Sequence, residues 1–194
     1  ADYSLQFPLL ALTHYKYTND LRFLKKNLET SKEMIAHFEK YQREDGLLAG
    51  VDDKWNLVDW PENLRDGYDF PLLRPMDRNS PPHNVINAFF IGAVLKTEEI
   101  NNILGIPCEK KSKGLIEAFN RAFLNADTGL YTDSESTLHS SLHSNVLPLF
   151  YGFCPKNSVG KICDLLLEKG FCCGVYMSYF VLKALCKAGR YEDA

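Results

Sequence analysis

Apolar residues recur at three- and four-residue spacing in three segments of the chain, with charged residues between them. These segments are residues 20–44, 109–124 and 158–169. In the first of them Leu21, Leu24 and Leu28 fall on one face of an α-helix. We therefore predict three helices that each bury one face, with Asn19 as the N-cap of the first and Gly170 at the end of the third.

Four other segments are apolar on nearly every side. They are residues 3–17, 84–96, 138–151 and 174–188. A helix of this kind must be covered all round, so we predict four buried helices. Pro8 and Pro148 fall inside two of these segments, and each is expected to kink its helix or to mark a late helix start.

Buried and half-exposed segments alternate along the chain, which gives about three and a half helical hairpins. Two concentric layers of helices, an α/α toroid, produce this alternation because the inner helices are covered on all sides and the outer ones on one. A flat solenoid of hairpins is the alternative, but no fixed period of about 34 or 40 residues is present. We predict an all-α fold, with residues 1–194 forming a single piece of one domain.

One connection is far longer than the others. Residues 46–82 show little helical period, and a segment of that length inside a compact domain is often functional. It contains both tryptophans, Trp55 and Trp60, and several carboxylates, including Asp59. An indole covers the apolar face of a sugar ring and a carboxylate accepts hydrogen bonds from hydroxyl groups. We therefore predict that this loop lines a carbohydrate pocket.

A well-packed structural loop is the alternative interpretation of the same segment. In that interpretation Trp60 anchors the loop and Arg65 pairs with Asp66 or Asp69. Residues 47–51 and 56–60 are predicted to be short extended pieces.

Polar residues gather where two of the buried helices are predicted to begin. His83, Asn84 and Asn87 open one helix, and the stretch from His139 to Asn145, which includes His143, opens the next. The inner helices of a toroid all point the same way, so we expect these side chains and the free backbone N–H groups to meet at one mouth of the ring. N-capping and satisfied core polar groups are the alternative roles.

Composition and charge exclude several classes of function. The chain has 194 residues and 22 basic against 25 acidic side chains, for a net charge of −3, which argues against a nucleic-acid partner. No apolar run approaches the roughly 20 residues of a membrane span, and no signal peptide is visible. We therefore expect neither nucleic acid nor membrane as a partner.

The cysteines indicate a reducing compartment rather than a metal site. The six residues show no Cys-x-x-Cys pair and no other zinc-ligand spacing. We predict reduced, mostly buried thiols in a cytoplasmic protein, with neither a metal ion nor a cofactor.

The chain lacks an initiator methionine and enters an apolar pattern within its first residues. We therefore expect a piece of a longer protein. Because uncovered inner-helix faces would form large apolar patches, this piece is predicted to self-associate when made alone.

One stretch of the long loop resembles a known family. Residues 56–69 read Asn-Leu-Val-Asp-Trp-Pro-Glu-Asn-Leu-Arg-Asp-Gly-Tyr-Asp, and residues 83–89 read His-Asn-Val-Ile-Asn-Ala-Phe. Together with Thr-Gly-Leu-Tyr-x-Asp at 128–133 and Ser-x-His-Ser-Asn at 141–145, they resemble the catalytic domain of bacterial α-L-rhamnosidases, glycoside hydrolase family 78. The resemblance extends over essentially the whole chain.

The resemblance implies part of an (α/α)6 barrel and an enzyme that hydrolyses terminal α-L-rhamnosides with inversion. Inverting glycosidases use two carboxyl groups roughly 6.5–9.5 Å apart, one as general acid and one as general base. In this family the acid is a Glu in an Arg-x-Glu stretch that precedes a Gly-Asp, upstream of the segment that resembles Asp2-Tyr3-Ser4, and the base is a Glu near a Trp late in the barrel. Neither motif occurs at those places in this sequence. No catalytic residue is therefore expected in this sequence, and the piece alone should be inactive.

One side of the sugar pocket remains for this chain to supply. The expected roles are Asp59 as acceptor for sugar hydroxyls, Trp60 as stacking partner of the ring, and Arg65 as the residue that orders the loop carboxylates. The polar groups from the helix mouths complete the predicted binding residues: His83, Asn84, Asn87 and His143. Two other functions fit the same pattern, namely another six-hairpin sugar-processing enzyme and a non-catalytic helical toroid that acts as a binding module.

Overall fold

The computed structural model describes residues 3–52, 55–60, 62–68 and 79–194. These ranges contain seven α-helices and no strand, so the all-α prediction is confirmed. The helices are α1 (Phe7–Thr18), α2 (Leu21–Glu39), α3 (Asn84–Ile103), α4 (Ser112–Phe123), α5 (Leu142–Tyr151), α6 (Lys156–Lys169) and α7 (Val175–Lys187). Short 3-10 turns lie at Ser4–Gln6, Glu62–Leu64 and Tyr191–Asp193.

The helices form two layers. In the inner row α1 packs on α3, α3 on α5 and α5 on α7. In the outer layer α2 covers α1 and α3, α4 covers α3, and α6 covers α5. The predicted alternation of buried and half-exposed helices therefore describes the arrangement, and the fold is part of an (α/α)6 toroid.

Helices α3 and α5 are the best-covered members of the inner row. Every residue of α5 is buried, as are the first eleven residues of α3. The two helices approach closely beside Gly92, where an added Cβ would lie 2.2 Å from the ring of Tyr151. These stretches are apolar on nearly every side because they have no face toward water.

Helices α1 and α7 differ from the prediction of burial on every side. Leu10 on α1 is 61% exposed and Val175 on α7 is 93% exposed. Each of these helices packs on a single inner neighbour because it stands at an end of the row. Tyr3, just before α1, stacks on Tyr176 of α7 at a centroid distance of 4.7 Å.

Several helix ends differ from the predicted boundaries. Asn19 is not the N-cap of α2 but the left-handed C-cap of α1, with a φ of 56°, and Asp20 caps α2 by accepting hydrogen bonds from Arg22 N and Phe23 N. Helix α2 ends at Glu39 instead of residue 44, since the chain turns back there and Gln42 bridges to Leu48.

The inner helices α3 and α5 also have corrected limits. Helix α3 continues past residue 96 to Ile103, where Ile100 is fully buried in the core. Helix α5 begins at Leu142 rather than residue 138, because Ser141 is its N-cap and accepts a hydrogen bond from Ser144 N. The segment before it is therefore loop, which matters for the site.

The two prolines behave differently. Pro8 lies in the first turn of α1, where it marks the predicted late start of the helix. Pro148 lies inside α5 without ending it, and the helix ends three residues later at Tyr151, with Gly152 as its C-cap. No described helix is long and apolar enough to cross a membrane.

Candidate functional site

The predicted site residues lie at the mouth of the inner layer, the side on which α3, α5 and α7 begin. They separate into two hydrogen-bonded clusters. The first surrounds Asp59 in the long loop and includes Trp60, Arg65 and His143. The second surrounds Tyr68 and Asp133 and includes His83 and Asn84.

The carboxylate of Asp59 joins the loop to two inner helices. Its Oδ2 accepts hydrogen bonds from His143 Nε2 on α5, at 3.1 Å, and from Gly174 N at the start of α7, at 2.7 Å. Its Oδ1 accepts one from Trp60 N at 2.8 Å. Asp59 is only 2% exposed, so this carboxylate is held by the protein on both oxygens.

The backbone before Asp59 is strained. Val58 has a φ of 59°, and Asp59 N donates to Leu57 O at 2.7 Å, which closes a γ-turn around Val58. A β-branched residue in this region costs on the order of 1–3 kcal/mol and persists only where the surroundings fix it. The hydrogen bonds of Asp59 supply that fixation.

Trp60 and Arg65 occupy opposite environments. The indole of Trp60 is 61% exposed, whereas Arg65 is buried and its Nε donates to the main-chain oxygen of Asp59 at 2.9 Å. Arg65 therefore orders the backbone of the loop, rather than a carboxylate, in the part of the chain that the structure describes. Asp66 pairs with Lys169 at 2.7 Å, and Asp69 lies outside the described residues.

The second cluster is a buried network at the start of α3. Tyr68 Oη lies 2.9 Å from His83 Nδ1, donates to Asp133 O at 3.0 Å, and accepts from Val85 N at 3.1 Å. Asn84 N also donates to Asp133 O, at 2.8 Å. This network locks the loop onto the first turn of α3.

Burial dominates the protonation of this cluster. Desolvation lowers the pKa of His83 to about 3, against a smaller opposing effect of Asp133, so the imidazole is neutral near pH 7. Burial, with a contribution from Asp133, raises the pKa of Tyr68 well above its ordinary value. The pair is therefore an uncharged hydrogen-bonding unit.

Asn87 binds backbone atoms of the long loop. Its Oδ1 accepts from Leu48 N at 2.7 Å, and its Nδ2 donates to Leu48 O at 3.0 Å and to His83 O at 2.9 Å. These contacts use both N–H donors of the amide. Asn87 thus positions the start of the loop against α3.

The backbone N–H groups that we expected to be free at the mouth are already bonded. Ser141 N donates to Asp133 Oδ1 at 3.0 Å, and Leu142 N donates to Asp66 Oδ2 at 2.6 Å. At α7, Gly174 N donates to Asp59. The helix starts are capped by acidic side chains because these satisfy N–H groups and complement the helix dipole, so they are not open anion sites.

Three buried polar atoms at this mouth have no hydrogen-bond partner among the described residues. They are Arg65 Nη2, Asn84 Oδ1 and His143 Nδ1. Most buried polar atoms in proteins are hydrogen-bonded. The mouth therefore has hydrogen-bonding capacity that the described chain does not use.

Sequence reasoning missed four residues that build the site. Gly174 admits the Asp59 carboxylate, since an added Cβ would lie 2.5 Å from Asp59 Oδ1. Asp66 and Asp133 cap α5, and Tyr68 joins the loop to α3. The acidic residues could have been found as partners for predicted helix starts, but no local signal pairs Gly174 with Asp59.

Other features lie away from the mouth. A cavity of about 310 Å³ opens between α2 and α3 and is lined by Ile35, Val94 and Thr97, among others, but by none of the seven predicted residues. No group of three or more His, Cys, Asp or Glu side chains within the described ranges could hold a metal ion. All six cysteines are free thiols, of which Cys163 and Cys173 are buried and Cys108 is exposed.

Two layers of alternating helices, with loops and helix starts gathered at one polar mouth, are typical of α/α toroid domains. Residues 3–177 match the sequence profile of the bacterial alpha-L-rhamnosidase 6 hairpin glycosidase domain. The chain belongs to this family. A search of curated proteins returned no matching relative.

Solved structures show the same fold. A family 78 rhamnosidase of Bacillus sp. GL1 is 19% identical, with a TM-score of 0.72 over 96% of this chain and 20% of that one. A Klebsiella oxytoca rhamnosidase with rhamnose bound is 15% identical, with a TM-score of 0.75 over 99% of this chain and 36% of that one.

Streptomyces avermitilis α-L-rhamnosidase complexed with L-rhamnose is 15% identical, with a TM-score of 0.68 over 99% of this chain and 17% of that one. The chain thus spans between about a sixth and just over a third of the length of these structures.

Proposed function

We propose that this chain is part of an enzyme that hydrolyses terminal α-L-rhamnosides with inversion of configuration. Membership of the rhamnosidase family and the bound rhamnose of two structural neighbours support the substrate. The general acid and the general base would come from parts of the enzyme outside this sequence. The chain would supply one wall of the sugar pocket and would be inactive alone.

The exposure of Trp60 beside the buried, hydrogen-bonded Asp59 carries the proposal. Its neighbours Asp59 and Arg65 are buried and bonded, yet Trp60 itself is 61% exposed. A large aromatic side chain normally gains about 1.5–3 kcal/mol when it is buried. An exposed indole on a backbone that Asp59 holds by a hydrogen bond is well suited to stack on the C–H face and the methyl group of a rhamnose ring.

The burial of Asp59 changes the role that we propose for it. A carboxylate that is 2% exposed and accepts three protein N–H groups has little access to sugar hydroxyls. We propose that Asp59 acts on the sugar through Trp60, by fixing the position of the indole. His83, Asn84, Asn87 and His143 would support the pocket from beneath.

We also propose a cytoplasmic location and self-association of the isolated chain. Six unpaired thiols support a reducing compartment. The exposed apolar side chains of α1 and α7, such as Leu10 and Val175, support association of two copies of this piece when it is made without the rest of its domain.

The function is tested with the full-length protein. Hydrolysis of p-nitrophenyl α-L-rhamnoside is compared with a panel of other p-nitrophenyl glycosides, and NMR identifies the anomer first released. Inverted rhamnose is the expected product. Activity on a different sugar would overturn the substrate and leave the fold, while inactivity on every glycoside would favour a binding-only toroid.

A matched pair of variants tests the pocket. Trp60→Ala should lower kcat/KM by about 10- to 100-fold, which corresponds to loss of one aromatic stacking contact. The control is Tyr191→Ala. Tyr191 is an aromatic residue that is 73% exposed and follows the C-terminal end of α7. The control should retain wild-type kinetics; equal losses in both variants would contradict the proposed pocket.

A further inference from the structure

Two histidines four residues apart stand at the start of α5, and each is paired with a buried aspartate. His143, within the helix, donates to Asp59 and is fully buried. His139, in the loop before the helix, pairs through Nδ1 with Asp133 Oδ2 at 2.6 Å, and its side chain is 39% exposed. Only the second pair opens toward solvent.

Asp133 holds the imidazole of His139 in one orientation. Its side chain is fully buried, and its Oδ1 accepts hydrogen bonds from Ser141 N at 3.0 Å and Ser144 Oγ at 2.5 Å. The main chain adds a further link, since Asp133 N donates to His139 O at 3.0 Å. A carboxylate can only accept, so it holds the proton on Nδ1 and leaves Nε2 as the outward atom.

The outward edge of His139 faces the same loop that carries Trp60. The position of a Cβ on Gly67 would be 3.6 Å from His139 Nε2, and no hydrogen bond joins this nitrogen to the described residues. Within the long loop, Arg65 Nε donates a hydrogen bond to the main-chain oxygen of Asp59, the residue before Trp60. His139 therefore borders the long loop that carries Trp60.

We propose that His139 is a substrate-contacting residue whose Nε2 hydrogen-bonds a hydroxyl group of the carbohydrate at this mouth, with Asp133 as its positioning residue. The proposal rests on the proposed glycosidase function. An imidazole backed by a buried carboxylate is fixed in rotation and tautomer, so it can bind a hydroxyl without first being ordered. The neighbouring His143 cannot take this role, because it is fully buried.

Substitution by asparagine tests the outward nitrogen alone. In His139→Asn the amide keeps a donor near the Nδ1 position, facing Asp133, and removes the atom at the Nε2 position. We expect kcat/KM of the full-length enzyme to fall about 10- to 100-fold with little change in melting temperature, as for loss of one hydrogen bond to substrate. His14→Asn, at an exposed position on α1, is the control and should leave kcat/KM unchanged.

The decisive readout uses aryl rhamnosides that lack one hydroxyl each, at positions 2, 3 and 4. If His139 binds one hydroxyl, the loss caused by His139→Asn should disappear for a single deoxy substrate and persist for the other two. Wild-type-like kinetics of the variant, or an equal loss on all substrates, would overturn the proposal.

Failure of the underlying function is recognised separately. A wild-type enzyme that cleaves a different glycoside would overturn only the rhamnoside assignment. His139→Asn is then assayed on that glycoside in the same two ways, beside His14→Asn and on substrates that lack one hydroxyl each. A wild-type enzyme that cleaves no glycoside would overturn both proposals.

Discussion

The side chain of Asp59 accepts a hydrogen bond from the backbone N–H of Gly174, 115 residues later in the chain, at 2.7 Å. The contact requires glycine, because an added Cβ would lie 2.5 Å from Asp59 Oδ1 and 2.7 Å from Trp60 O. The φ of Gly174 is −72°, which any residue adopts. The glycine is thus required by the close approach of the loop and not by its own backbone conformation.

Gly174→Ala should displace the loop that carries Trp60. We expect a fall in kcat/KM of the full-length enzyme by at least about tenfold and a loss of about 1–3 kcal/mol of stability from overpacking. Kinetics on the aryl rhamnoside and thermal unfolding measure the two effects. Gly160→Ala on α6, where nothing lies within 4 Å of the added Cβ, is the control. Unchanged kinetics for Gly174→Ala would mean that activity does not depend on the position of this loop.

Asp59→Asn tests the carboxylate with almost no change of shape. Both oxygens of Asp59 accept N–H groups, whereas asparagine offers one acceptor oxygen and one NH₂. In either orientation the NH₂ faces a donor, so we expect a loss of about 2 kcal/mol together with reduced turnover. Asp164→Asn alters an exposed ion pair with Arg190, worth at most about 1 kcal/mol, and serves as the control in urea unfolding. Equal stability of Asp59→Asn and Asp164→Asn would mean that the hydrogen bonds of the Asp59 carboxylate do not stabilise the protein.

The helices were predictable from sequence because their signal is local. Spacing placed α2, α4 and α6, and runs that are apolar on nearly every side placed α1, α3, α5 and α7. Helix ends were less accurate, since caps depend on single side chains: Asp20, not Asn19, supplies the cap of α2.

For the site, the sequence predicted which residues take part but not the contacts that they make. The sequence placed Asp59, Trp60 and His143 in one polar mouth, and the structure brings them together. It did not reveal that Asp59 is buried, nor that His139 is the open histidine. Both depend on contacts distant in sequence and on the start of α5 at Leu142, which leaves His139 in the loop.

Gly92→Ala tests the packing between the two central helices. The added Cβ would lie 2.2 Å from the ring of Tyr151, on a helix that is buried on every side. We expect a loss of about 3 kcal/mol, measured by thermal unfolding, because the core cannot yield without moving α5. Gly114→Ala on α4 has open space and should be neutral or stabilising by up to about 1 kcal/mol.

A double variant checks the cause of that loss. Replacing Tyr151 with leucine in the Gly92→Ala background should recover part of the stability, because it removes the clashing ring. If Gly92→Ala destabilises by the same amount with and without Tyr151, the helix contact is not the source of the effect.

The isolated chain should self-associate through α1 and α7. Leu10 and Val175 are 61% and 93% exposed on these end helices, and apolar patches of this kind favour association. Light scattering coupled to size exclusion should give a dimer or a larger species. A variant with Leu10→Lys and Val175→Lys should shift the distribution toward monomer, since each lysine would have to lose its hydration at the contact. A wild-type chain that remains monomeric at all concentrations would exclude this contact.

Acid should destabilise the protein through His83. Burial lowers the pKa of His83 to about 3, whereas the unfolded chain titrates near 6.5. Between these values the unfolded state binds the proton and the folded state does not, so stability falls as the pH is lowered through this window and is fully retained above it. Between about pH 7 and pH 4.5 the expected loss from this group is on the order of 3 kcal/mol.

His83→Asn should remove this contribution while keeping a polar atom near the Tyr68 hydroxyl, which lies 2.9 Å from His83 Nδ1. Urea unfolding of the full-length protein, followed at the two pH values, should show a smaller difference for the variant than for the wild type. His14→Asn, at an exposed position, should keep the wild-type difference. Identical pH dependence in the wild type and His83→Asn would mean that other groups, and not the buried imidazole, control acid unfolding.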